Sequence, residues 1–112
     1  MKICHHLAYL LQTKIYIMDT EIDIEEFAKN NTPVPKGKRY KIRVDREKYV
    51  TNEECLTGME ILLLAGKTPY TKFQLNQKIK GNVKKVGYDE KVDFTTPGIE
   101  RFMTLPLDQT EG

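Results

Sequence analysis

Period-2 alternation first becomes clear at residue 40, where Tyr40, Ile42 and Val44 alternate with Lys41, Arg43 and Asp45. That pattern predicts a half-buried strand. "DREK" follows as a turn and "KYVT" as a short return strand, so the two make a hairpin. The pattern then changes period. In "CLTGMEILLLAGKTP", Ile61, Leu62, Leu64 and Ala65 form one buried stripe of a short helix. Thr57 and Glu60 have capping-box spacing at its start, Gly66 suits the left-handed position that ends it, and Pro69 forbids continuation. Alternation returns in "YTKFQLNQKI", with Phe73, Leu75 and Gln77 on one face. "KGN" at 80–82 signals a turn, and "VKKVG" reads as a short edge strand whose lysines discourage edge-to-edge association. "YDEKVDFTTPG" reads as turn-rich connection, and "IERFMTLP" as a last strand stopped by Pro106. Its facing is open between two sets, Arg101, Met103 and Leu105 or Glu100, Phe102 and Thr104; the bulk of Phe102 favours burying the second.

The order strand, strand, helix, strand, short strand, strand is that of the α+β β-grasp fold, a mixed sheet curled around one helix. We place this domain at residues 39–105 and treat 106–112 as an extended C-terminal tail. Residues 1–38 read as an N-terminal extension and linker. Ile3, Leu7, Leu10, Leu11 and Ile15 have helical spacing, "DTEIDIEEF" clusters acids, and "KNNTPVPKGKR" has loop chemistry. The acid block and Pro-Gly-basic stretch together predict a flexible arm. Met18 is an equally good candidate for the translation start.

A chain of 112 residues is one domain on ordinary size priors. Charged residues make up 30% of it while net charge is only +2, a mixed-sign surface that argues against a dedicated nucleic-acid binder. Cys4 and Cys55 have no metal-site spacing and are too few for a disulfide framework, which favours a reducing compartment. No run approaches the roughly 18 apolar residues that span a bilayer, and the interrupted start lacks a signal-peptide pattern. The expected location is the cytoplasm, away from membranes.

Four stretches, "YKIRVD", "LTGMEILLLAG", "VDFTTPGIERFMTLP" and "DQTEG", resemble the multiubiquitin family of bacterial ubiquitin-like proteins. The resemblance covers most of residues 39–112 and leaves 1–38 aside. Family members are encoded beside activating, conjugating and deconjugating enzymes, some with several domains in tandem. The resemblance implies a protein modifier that is a substrate of enzymes and not itself an enzyme. Its attachment point is the Gly112 carboxylate, and Asp108, Gln109, Thr110 and Glu111 form the tail that an activating enzyme recognises. Partners are then the activating enzyme, the conjugating enzyme, a deconjugating protease and target proteins, with no cofactor. Glycine suits a narrow channel because it lacks Cβ, and from Leu105 to Gly112 the chain can reach about 20–25 Å. The chain departs from ubiquitin in having one terminal glycine preceded by Glu111, so an acidic tail calls for a basic channel. Two other classes stay open: a sulfur carrier bearing a thiocarboxylate at Gly112, and a non-covalent binding module.

The remaining chemistry is sparse. "CHH" at 4–6 lacks a second ligand cluster. Cys55 stands just ahead of the helix cap, where a small residue filling a core gap is the simpler reading. Gly81 and Gly87 lack the context of a phosphate loop. Lys78, Lys80, Lys84 and Lys85 form the densest basic cluster, read as a solvated edge, with only Phe73 and Tyr88 near for base stacking.

Overall fold

The computed structural model describes residues 21–37 and 39–107. Strand β1 (Glu21–Asp23) leads directly into helix α1 (Ile24–Lys29). A hairpin follows, β2 (Arg39–Val44) and β3 (Glu47–Thr51), then β4 (Cys55–Thr57) and α2 (Gly58–Leu64). After a 3₁₀ turn at Tyr70–Lys72 come β5 (Phe73–Ile79), β6 (Asn82–Val86), β7 (Lys91–Asp93) and β8 (Ile99–Pro106).

The main sheet runs β3-β2-β8-β5-β6, with β2 and β8 parallel at its centre and antiparallel pairs on both sides. Helix α2 supplies Ile61 and Leu62 to the core, which is the β-grasp arrangement expected. Its cap is the predicted capping box: Thr57 Oγ1 accepts from Glu60 N–H, and Glu60 Oε1 accepts from Thr57 N–H at 2.8 Å. Gly58 N–H and Met59 N–H donate to the carbonyls of Glu90 and Tyr88. This close approach requires Gly58, because a Cβ there would lie 2.3 Å from the Gly87 carbonyl oxygen.

Tyr40, Ile42 and Val44 point inward from β2, Leu75 and Gln77 from β5, and Phe102 from β8. Phe94 stands edge-on to Phe102, with ring centroids 6.3 Å apart, and tilted against Tyr40. The facing of β8 is thereby settled: Phe102 is fully buried, and Met103 and Leu105 lie on the outer face.

Two features depart from the sequence reading. Within the expected turn-rich connection, β7 pairs antiparallel with β4 as a separate small sheet, opposing Val92 to Leu56. Three residues are too short to show a period, so only the tertiary pairing reveals this strand. More consequentially, residues 21–37 are not a flexible arm. Strand β1 pairs parallel with β2, matching Ile22 to Tyr40, and Ile22, Ile24 and Val34 are core residues. The run "EIDIEEF" hides this because its acids mask two apolar residues that alternate with them. The earlier readings of residues 1–20, including the helical spacing, Met18 and the "CHH" cluster, lie outside the described residues.

The placement of β1 and α1 follows from edge accounting. A strand has two hydrogen-bonding edges, and β3 occupies one edge of β2 from Tyr40 to Val44. On the other edge, β1 takes Arg39–Lys41, and β8 meets β2 only at the Val44–Phe102 pair. Helix α1 packs against both β2 and β8. The β1–α1 unit therefore fills the seam where these parallel strands are not laddered. Beyond it Asp45 closes the seam: its N–H donates to the Phe102 carbonyl, and its carboxylate accepts from Thr104 N–H and Thr104 Oγ1–H.

Candidate functional site

Residues Asp108, Gln109, Thr110, Glu111 and Gly112 lie outside the described residues. What the structure defines is the root from which this tail departs. The β8–β5 ladder runs to Pro106, opposite Phe73, and Leu107 N–H still donates to the Lys72 carbonyl at 2.8 Å. The chain therefore holds sheet geometry up to Leu107. The same end of the sheet carries the β2–β3 turn at Asp45 and Arg46, the C-terminus of α2 and the 3₁₀ turn. Lys67, just past α2, joins them by pairing with Asp45 at 3.7 Å and lying 5.7 Å above the Phe73 ring.

Alternation places Met103, Leu105 and Leu107 on the outer face at this root. Met103 stands opposite Asn76 and Leu105 opposite Gln74, whose side-chain amide donates to Asn76 Oδ1. Leu105 is 49% exposed and Leu107 41%. Gln74 and Met103 both belong to this neutral strip.

Across β1, β2 and β3 the outer face is ion-paired. Arg43 Nε donates to Glu25 Oε1 at 2.9 Å, and Lys48 Nζ lies 2.5 Å from Asp23 and 3.3 Å from Glu25. Glu21 pairs with Lys41 and Arg39. Burial alone would raise the Glu25 pKa, but hydrogen bonds from Arg43 and Lys48, reinforced by their charges, hold it below the usual carboxylate value. Lys48 is shifted upward, chiefly by its hydrogen bond to Asp23. These pairs fasten β1 and α1 to the β2–β3 hairpin.

A second fastening lies on the concave side. Gly37 N–H donates to the Tyr40 hydroxyl at 2.8 Å, which faces the buried Glu54 carboxylate at 3.4 Å, and Lys36 approaches the same carboxylate at 3.8 Å. Burial, with the nearby Glu54 charge, pushes the Tyr40 pKa up to about 12. Gly37 is required here, since a Cβ would meet Ile22 Cδ1 at 2.2 Å.

The other candidates lose ground. Cys55 is half-buried in β4 opposite Asp93 and is not a free thiol, so it is neither a nucleophile nor the simple gap-filler expected. Lys78 pairs with Glu100 at 3.7 Å. The Tyr88 ring is held edge-on against Tyr70, and its hydroxyl donates to the Phe73 carbonyl at 2.6 Å, so it is no stacking platform. Among the described residues no group of three metal-capable side chains occurs, and no helix is long and apolar enough to cross a membrane.

The sequence model of the Multiubiquitin family matches residues 40–106, more than half of the chain. The chain belongs to the multiubiquitin family. The match begins at β2 and ends with β8, so the β1–α1 unit lies outside it. No curated protein and no solved structure matches.

Proposed function

We propose that this chain is a ubiquitin-like protein modifier whose C-terminal glycine carboxylate is activated and joined to target proteins. The observation that carries this reading is the root geometry within a multiubiquitin domain. The last strand delivers the chain to one end of the sheet, where five further residues lead to Gly112. In the chemistry proposed, a Gly112 carboxylate oxygen attacks the α-phosphorus of ATP, and the bond to the leaving pyrophosphate breaks. The acyl adenylate is then attacked by an enzyme cysteine thiolate, releasing AMP and forming a thioester. An acceptor amine or hydroxyl next attacks that carbonyl, loses its proton and expels the thiolate. This protein supplies the electrophilic carbon and the surface that presents it, and its partners supply the nucleophiles and ATP. The proposed partners are an activating enzyme, a conjugating enzyme, a deconjugating protease and the targets, in the cytoplasm.

The test is intact mass spectrometry after incubation with ATP and the enzymes encoded beside the gene, with and without Gly112. The expected result is an adduct whose mass is that of the two partners less one water, formed only with Gly112 present. A product that has gained sulfur in place of oxygen would identify a sulfur carrier instead. No change with enzymes active on a control modifier would leave a non-covalent binding module.

A further inference from the structure

We propose that the disulfide at Cys55 is a redox latch that fastens the N-terminal segment beside β1, closing through Cys4 on oxidation and opening in thiol. It goes beyond the reading of Gly112, whose chemistry it does not involve. The state of the sulfur is the first observation: Cys55 is disulfide-bonded, and the other cysteine of the chain is Cys4. Position is the second. Cys55 opens β4, and its neighbour Glu54 is buried with its carboxylate 3.4 Å from the Tyr40 hydroxyl. That hydroxyl accepts from Gly37 N–H, Gly37 lies against Ile22, and Ile22 pairs with Tyr40 in the β1–β2 ladder. A continuous set of contacts therefore joins Cys55 to β1, where the described residues begin. From Cys4 to Glu21 are 17 steps, a reach of up to about 55–60 Å. The chain between them can close the bond by many paths.

The surroundings suit a bond that opens. Cys55 is half-buried in a three-residue strand of the small sheet, so a thiol can reach its sulfur. Closure is thiol–disulfide exchange. One cysteine thiolate attacks glutathione disulfide and expels a glutathione thiolate. The other then attacks the protein sulfur of the mixed disulfide and expels the second. Two protein thiols are oxidised while one glutathione disulfide is reduced to two glutathiones, which take up the two thiol protons. The closed bond spans the stretch from β1 to β3, with Ile22, Ile24 and the ion pairs of Glu21, Asp23 and Glu25. It removes conformational freedom from the unfolded chain over that stretch and so adds to what those contacts do. The described fold is the closed state. In a reducing compartment the latch stands open until an oxidant arrives.

The experiment equilibrates the full chain in glutathione buffers from fully reduced to fully oxidised, blocks free thiols with iodoacetamide and digests the protein with trypsin without reduction. Oxidised samples are expected to yield peptides 3–14 and 49–67 joined, lighter than their sum by a pair of hydrogens. Reduced samples should yield the same two peptides, each alkylated. The oxidised chain should also melt about 5 °C or more above the reduced one. Cys4→Ser leaves β4 untouched and should abolish that difference. Two alkylated cysteines throughout the series would overturn the pairing. Peptide 49–67 joined to its own copy, in a covalent dimer, would assign Cys55 to a second chain and overturn it as well. A joined pair with an unchanged melting point would overturn the fastening.

Discussion

The two ends of the described chain meet the same sheet and are treated in opposite ways. At the N-terminal end, β1 and α1 insert Ile22 and Ile24 into the core, pair three carboxylates with cations of β2 and β3, and are held from behind by Tyr40 and Gly37. At the C-terminal end, β8 is anchored by Phe102 and the Asp45–Thr104 contacts, but its last outward residues are apolar and exposed. Burial and charge pairing make the first region a structural part, although the family match does not include it. In the second, Leu105 and Leu107 stay exposed where the last strand ends.

The largest expected effect separates an integral β1–α1 unit from an appended one. Ile24 is 1% exposed, so Ile24→Ala should cost about 2–5 kcal/mol in urea denaturation. Were residues 21–37 merely tethered, the change would stay within about 0.5 kcal/mol. Tyr40→Phe comes next, since it keeps the ring but leaves Gly37 N–H and Glu54 without their hydroxyl partner. We expect a loss of about 1–3 kcal/mol. Tyr40 also marks an alkaline limit. Its pKa is raised from 10 to about 12, so its contribution is full below pH 10 and is lost as pH rises from there through 12. Tyrosinate absorbance followed alongside unfolding checks this, and the Phe variant should lack that component.

Glu25→Gln has a smaller effect, about 1–2 kcal/mol near neutral pH, because its oxygen keeps hydrogen-bonding capacity while losing charge. The folded-state pKa of Glu25 is depressed, so its contribution is present above the unfolded carboxylate value and lost as pH falls through the folded one. Wild type and variant should therefore converge in stability in acid, as measured by denaturation between neutral pH and pH 3. The smallest effect is expected at the other end: Leu105→Ser should shift stability by no more than about 0.5 kcal/mol, since the side chain is half exposed. A large loss there would mean that the strip is structural and would erase the contrast.

Much of this fold was legible from residue 39 onward because local signals agree with tertiary ones. Tyr40, Ile42 and Val44 alternate and are all buried, and Thr57 and Glu60 form the capping box their spacing implied. Legibility fails where an element is too short to carry a period. The three residues of β7 and the three of β1 become strands only by pairing with distant partners, β4 and β2. Around β1 the acids also mislead, because they read as solvated charge when their partners Lys41, Arg43 and Lys48 lie about 20 residues later. For the site, the outward facing of Met103 and Gln74 was within reach of alternation. That Leu105 and Leu107 are exposed, and the face beside them charge-paired, required the sheet register.

The most direct test of the modifier reading is thioester formation on the activating enzyme encoded beside the gene. The enzyme, ATP and the full chain would be combined and resolved with and without reducing agent. The account predicts a covalent adduct that dithiothreitol removes and that deletion of Gly112 or withholding ATP prevents. An adduct that forms equally well without Gly112, or no adduct from an enzyme that charges a control modifier, would contradict it.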